Sequence, residues 1–253
     1  MTSSTVVVGV SLKMYFSHAR TLEWISEVAV VAAGSEAVSS GAVEVFVIPD
    51  FVSLTDAGRA LEGTPVALGA QDLATEDSGA FTGEVSGAVL AEVGVSVVEV
   101  GHAERRRLFH EDDSVVAAKT AAALRNGISP VLCIGETERG TAADAVAECL
   151  RQLDDALAGT VDGRVIVAYE PVWAIGAAEP APVEHIRAVC AELKAAVAGW
   201  SGRERSVIIY GGSAGPGLLT QLGRDVDGLF LGRFAHDPAA LAAVITEAAE
   251  VAA

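Results

Sequence analysis

The chain has 253 residues, 51% of them hydrophobic and 20% charged. Its mean hydropathy of +0.42 leaves ample apolar surface to bury, which excludes a disordered chain. Seventeen Lys and Arg against 34 Asp and Glu give a net charge of −17, a field that repels nucleic-acid phosphates and anionic membranes. No apolar run approaches the roughly 18 residues that span a bilayer. The start, MTSSTVVVGVSLK, lacks the basic and long apolar segments of a signal peptide. These features predict a soluble cytoplasmic protein with no nucleic-acid or membrane partner. Cys133, Cys149 and Cys190 lie far apart without metal-ligand spacing and read as reduced thiols, so no metal is expected.

Short β-branched runs alternate with Ala- and Leu-rich stretches of helical period. The runs at 5–10 (TVVVGV), 43–48, 65–70, 96–101, 128–134, 164–169, 205–210 and 227–232 predict eight strands. The stretches 19–34, 53–63, 86–94, 114–127, 142–159, 183–199 and 215–224 predict the helices between them. The tail 236–253 adds an eighth helix, with Asp237 as N-cap and Pro238 at its first position. Gly34, Gly127 and Gly159 read as left-handed caps. Strands buried on both faces with helical crossovers imply a parallel sheet, and eight units favour closure, which removes edge strands. No linker or charge block divides the chain. The fold class is therefore α/β, a single-domain (β/α)8 barrel over residues 1–253.

In such a barrel, chemistry sits at the C-terminal ends of the strands. Strand 1 is followed by Ser11-Leu12-Lys13, the lysine being one of only three in the chain. Strand 4 leads into Gly101-His102-Ala103-Glu104, and strand 6 into Glu170-Pro171-Val172-Trp173. The loop that continues to Pro182 is long, and loops beyond about 12 residues tend to be lids or binding loops. Tyr210-Gly211-Gly212-Ser213 follows strand 7 and Gly232-Arg233 follows strand 8, where barrels usually hold phosphate on backbone N–H groups. Taken singly, these are a solvated lysine, a structural histidine, a strand terminator and two turns. Together they place an ammonium, an imidazole, a carboxylate and two phosphate-sized turns on one rim beneath a cover.

Along its entire length the chain resembles the triosephosphate isomerase family. The matching strings are K-M (13–14), GAQ (69–71), SGAFTGEVS (78–86), GHAERR (101–106), CIGE (133–136), AYEPVWAIG (168–176), YGGS (210–213) and DVDG (225–228). The resemblance implies a cofactor-independent isomerase of a small phosphorylated ketose, acting by a proton shift through an enediolate. It implies Glu170 as base, His102 as neutral electrophile, Lys13 as the positive charge beside the enediolate and Glu104 as a further carboxylate of the site. Gly176, Gly211, Gly212, Ser213 and Gly232 would bind phosphate, Cys133 would be a buried packing residue and Trp173 part of the lid hinge. A homodimer is implied too, assembled through the loop at 72–86, with Thr82 approaching the partner's site.

Four departures bear on the substrate. Ser11 stands where the family usually has Asn, and Ala103 replaces the serine after the histidine. The lid tip is Ala177-Ala178-Glu179-Pro180 in place of Thr-Gly-Lys-Thr, and Arg233 follows Gly232 where a second glycine is usual. Ser11 and Gly232-Arg233 resemble the branch of the family that interconverts L-erythrulose 1-phosphate and D-erythrulose 4-phosphate. That substrate carries a hydroxymethyl group where the triose has hydrogen, and the shorter Ser11 leaves room for it. Arg233 would add a cation beside the phosphate. Such a pocket difference discriminates by only about 1–3 kcal/mol, so the four-carbon reading leads while triose phosphate stays open. A phosphate-binding barrel without isomerase activity is the third possibility.

Overall fold

Valine dominates the first strand, and the strand's two faces lie in two different apolar layers. In β1 (Val6–Ser11), Val6, Val8 and Val10 join the layer beneath the helices, while Val7 points into the barrel. The same period-two division runs through the other strands, as it must when a sheet is buried on both faces. The computed structural model describes residues 5–253; the part of the N-terminal reading that rests on residues 1–4 lies outside them.

The chain continues through α1 (His18–Ala33), α2 (Glu36–Ser39), β2 (Val43–Ile48), α3 (Leu54–Ala60), β3 (Val66–Ala70), α4 (Gly87–Glu92) and β4 (Val97–Val100). It then forms α5 (Ala103–Phe109), α6 (Asp113–Arg125), β5 (Ser129–Ile134), α7 (Ala142–Leu157), β6 (Ile166–Tyr169), α8 (Val183–Ala198), β7 (Val207–Tyr210), α9 (Leu218–Leu222), β8 (Gly228–Leu231) and α10 (Pro238–Ala252). All eight strands pair in parallel in sequence order, and β8 pairs back onto β1. The sheet is a closed (β/α)8 barrel, as expected.

Helix starts follow their capping residues. The side chains of Ser17, Ser35, Ser86 and Asp112 accept the first free backbone N–H groups of α1, α2, α4 and α6, and Thr141 with Asp144 forms a capping box on α7. Asp237 caps α10 with Pro238 at its first position. Gly127 adopts φ of 72° just after α6, the left-handed cap expected of it. Gly159 is left-handed too, at φ of 68°, but it follows the non-helical Ala158 in a turn where the Thr160 N–H bonds Leu157 O, and so does not cap α7. Gly34 is not left-handed: its φ is −79°, because the chain turns directly into α2 and its N–H still bonds helical carbonyls. The one-turn helix α2 was not anticipated.

Inside the barrel, Val7, Phe46, Ile48, Val97, Val131, Ile166, Ile209 and Phe230 fill the centre. Gly9 makes this possible, since a Cβ there would stand 2.0 Å from the Phe46 ring. At the N-terminal ends of the strands, Arg164 donates two hydrogen bonds to Glu44 at 2.7 and 2.8 Å. The opposite mouth is left for the residues described next. Among the described residues, no helix is long and apolar enough to cross a membrane.

Candidate active site

The C-terminal mouth of the barrel holds a cavity of about 540 Å3. Ser11, Lys13, His102, Glu104, Glu170, Gly176, Gly211, Ser213, Gly232 and Arg233 all line it. Gly212 stands behind this lining, where a Cβ would collide with the Tyr210 hydroxyl at 2.5 Å. The volume suits a small polar metabolite. Among the lining residues Lys13 and Arg233 are the only Lys or Arg, and they give this mouth positive charge in a strongly acidic protein.

Lys13 follows β1 with φ of 50°, a left-handed backbone that a lysine adopts only when surroundings enforce it. Gln71 supplies part of that enforcement, its side-chain amide donating to the Lys13 carbonyl at 2.9 Å. The ammonium donates to Glu104 Oε1 at 3.0 Å. Burial opposes its charge, but Glu104, with Glu99 and Glu170 farther off, outweighs that and holds its pKa above the ordinary value.

His102 is the N-cap of α5. Its Nδ1 accepts the backbone N–H of Glu104 at 3.1 Å, which assigns the proton of the neutral ring to Nε2. Burial, then the nearby Lys13 charge, pushes its pKa down to about 4, so the ring is neutral near pH 7. Nε2 is the hub of the mouth: Lys13 Nζ lies 3.3 Å away, Glu170 Oε2 3.7 Å and Glu99 Oε1 3.8 Å. The lysine contact sets a donor against a donor, and that repulsion resists a second proton on the ring.

Glu170 follows β6 at 5% exposure, with Oε2 buried and unbonded among the described residues. Burial, then repulsion from Glu99, raises its pKa to about 8. A carboxylate buried with one oxygen unbonded is a strong base. Cys133 lies nearby on β5, and burial drives its thiol well above the ordinary range, which suits a packing residue.

The loop 171–182 runs over this corner as a cover. Ser213 Oγ reaches Ala174 O at 3.0 Å and Ala177 O at 2.8 Å, and the Tyr210 hydroxyl accepts the Ala181 N–H at 3.0 Å. Two side chains of the Tyr210–Ser213 turn therefore hold both ends of the cover. Its first segment rests on Glu136, which accepts from Trp173 Nε1 at 2.8 Å and from the Tyr169 hydroxyl at 3.2 Å. Trp173, expected in the lid hinge, supplies the first of these contacts.

Two residues of the site carried no role in the sequence reading. Glu136 lies within the CIGE string, but nothing local marks it as the acceptor for a loop more than thirty residues away. Glu99 had a visible signal, a lone carboxylate inside the apolar run SVVEVG, and period two places it on the inner face with Val97. Among the described residues, no group of three or more His, Cys, Asp or Glu is placed to hold a metal ion.

A model of the family described as triosephosphate isomerase matches residues 6–248. L-erythrulose-1-phosphate isomerase of Pectobacterium atrosepticum is 50% identical over 252 residues, covering 98% of this chain and 97% of that protein. The triosephosphate isomerase of Symbiobacterium thermophilum is 40% identical over 255 residues, covering 97% and 98%. That of Leifsonia xyli is 43% identical over 219 residues, covering 81% and 83%. With the barrel closed, the strand-end residues gathered in one mouth and the likeness running nearly end to end, this chain belongs to the triosephosphate isomerase family.

Proposed function

We propose that the protein is a cofactor-independent isomerase that interconverts L-erythrulose 1-phosphate and D-erythrulose 4-phosphate. One observation carries the isomerase chemistry: a neutral imidazole whose Nε2–H faces the cavity lies 3.7 Å from a buried, strongly basic carboxylate. Glu170 removes the proton from the hydroxyl-bearing carbon next to the carbonyl. His102 Nε2–H hydrogen-bonds the carbonyl oxygen as it gains charge, and Lys13 stabilises the resulting enediolate. Glu170 returns the proton to the neighbouring carbon while a hydroxyl proton moves between the two oxygens, so nothing is oxidised or lost overall. Glu104 orients Lys13 through their 3.0 Å ion pair.

The phosphate is held by the turns at Gly211-Gly212-Ser213 and Gly232-Arg233 together with Gly176, chiefly through backbone N–H groups. Arg233 adds a cation that offsets the global negative field. Ser11, in place of the usual asparagine, and the 50% identity to a protein named for L-erythrulose 1-phosphate favour the four-carbon substrate. The reading places the enzyme in the breakdown of four-carbon sugar alcohols in the cytoplasm. Triosephosphate isomerisation is the second reading, favoured by the unaltered Lys, His and Glu set and by the relatives that bear that name. The experiment is kcat/KM on L-erythrulose 1-phosphate and dihydroxyacetone phosphate, measured side by side. A preference for the triose would overturn the four-carbon reading. Turnover of neither, with phosphate binding retained, would make the barrel a binder only.

A homodimer completes the proposal. Met14, Tyr15, Phe51, Val52 and Phe81 are exposed apolar side chains on the loops after β1, β2 and β3, which are neighbours in the barrel. A shared apolar face of this kind favours a partner surface. The segment 72–86 belongs to it. A monomeric mass by light scattering, with full activity, would reject the assembly.

A further inference from the structure

Glu99 occupies the interior of the barrel, one layer above Val97, where strand residues ordinarily contribute apolar packing. It is 4% exposed, and among the described residues no Lys or Arg pairs with it. Among the described residues its one hydrogen bond comes from Ser11 Oγ, which donates to Oε2 at 2.8 Å. The other oxygen, Oε1, has no hydrogen-bond donor among the described residues; Glu99 stands behind the cavity lining, with Oε1 3.8 Å from Nε2 of His102, which is part of that lining. Burial raises this carboxyl to about pKa 7, so near neutral pH it is available both as donor and as acceptor.

Burying a carboxyl with a single neutral partner is unfavourable, and a valine or isoleucine would fill the same layer without that cost. The open oxygen sits beside the imidazole nitrogen that would hold the reacting oxygens, and Ser11 beside it lines the cavity itself. We propose that Ser11 and Glu99 form a subsite for the terminal hydroxymethyl group of a four-carbon ketose phosphate, with Glu99 as the specificity-determining residue. This rests on the isomerase reading above and deepens it.

The consequence is quantitative. Room alone separates substrates differing by one small group only weakly, by about 10- to 200-fold. A buried polar group that must be hydrogen-bonded separates them far more strongly, by up to about 10⁴-fold, because the shorter substrate leaves it unpaired. The Ser11–Glu99 pair turns a steric allowance into a polar requirement.

The test is the ratio of kcat/KM for L-erythrulose 1-phosphate to that for dihydroxyacetone phosphate, in wild type, Glu99→Val, Glu99→Gln and Ser11→Ala. The expected result is a ratio above one in wild type, falling about 100-fold or more in Glu99→Val and about 10-fold in Ser11→Ala. Glu99→Gln keeps an acceptor at the same place and retains most of the ratio. Equal losses on both substrates in Glu99→Val and Ser11→Ala would overturn the subsite while leaving the isomerase reading intact. A wild-type preference for the triose would overturn that reading, and the subsite with it. If Glu99→Val fails to fold, the Ser11→Ala ratio decides.

Discussion

A Cβ on Gly211 would lie 2.5 Å from Glu170 Oε1 and 2.7 Å from its Cγ. The glycine after β7 is therefore the space in which the carboxylate after β6 sits. Its φ lies outside the left-handed region, so the requirement is one of volume. Gly211→Ala should displace Glu170 without unfolding the barrel. A misplacement of about 1 Å at a reacting group costs on the order of 10²-fold. The expected outcome is a fall in kcat of about that size with the melting temperature within a few degrees of wild type; an unchanged kcat would show that Glu170 does not need this position.

Glu136 links the cover to the barrel. It accepts from Trp173 and Tyr169, approaches His185 at 3.4 Å, and its carbonyl accepts the Val172 N–H at 2.9 Å. Glu136→Ala strips the side-chain partners from the first segment of the loop while leaving the lining untouched. Hinge changes of this kind alter kcat and KM together. Both should worsen, and protease cleavage within 171–182 should quicken; a change in melting temperature alone would assign Glu136 to stability only.

Lys119 is 5% exposed and donates to Asp72 Oδ1 at 2.6 Å and Glu111 Oε1 at 2.7 Å. Arg105, three residues after His102, completes the cluster through Asp72 and Glu111, each at 2.7 Å. The network ties the segment after β3 to α5 and α6. Lys119→Met would leave Asp72 and Glu111 buried with Arg105 as their one shared cation, and removing a partner from such a buried cluster costs on the order of 3 kcal/mol. For a chain of this size the melting temperature should fall by about 10 °C or more, whereas an unchanged melting curve would mean the cluster is paired only as strongly as an exposed one.

The site should also show in two pH profiles of opposite sense. Glu99, Lys13, His102, Cys133 and Glu104 surround Glu170, whose pKa is raised to about 8 by burial and then by Glu99. As the base must be ionised, kcat/KM should rise with pH through about that value, and Glu99→Gln should shift the rise to lower pH. Stability runs the other way. The folded carboxyl keeps a proton that the unfolded chain releases near its ordinary 4.5, so stability falls as pH rises from there towards 8. Glu170→Gln holds no such proton. It should lose turnover by about 10²-fold or more yet melt higher than wild type at alkaline pH, with the gap closing near pH 5. A constant gap would remove the assigned cause.

Much of this protein is local in origin and therefore legible along the chain. The eight strands are β-branched runs, and any segment buried on both faces must be apolar throughout, so VVVGV, VEVFVI and SVVEV mark themselves. Asp237-Pro238 and the Thr141–Asp144 box act within one turn of chain. Lys13, His102, Glu170 and the glycine turns fall at strand ends, and closure of the barrel in sequence order carries every strand end to one mouth. Where a feature is short or shaped by its successor, the local signal fails: α2 is only four residues, and Gly34 follows the demands of that turn.

Most of the relations that give those residues their properties span 36 to 91 positions and have no local trace. Nothing near residue 211 says that its missing Cβ makes room for Glu170, and nothing near residue 99 says that its carboxyl meets Ser11 across the barrel. Residue types and periods determined the fold class and the strand-end set, and the motif strings at those ends carried the resemblance to the family. Only the closed barrel decided which carboxylate loses water, which charges surround the imidazole and which hydroxyl anchors Glu99, because desolvation and hydrogen bonding depend on neighbours in space.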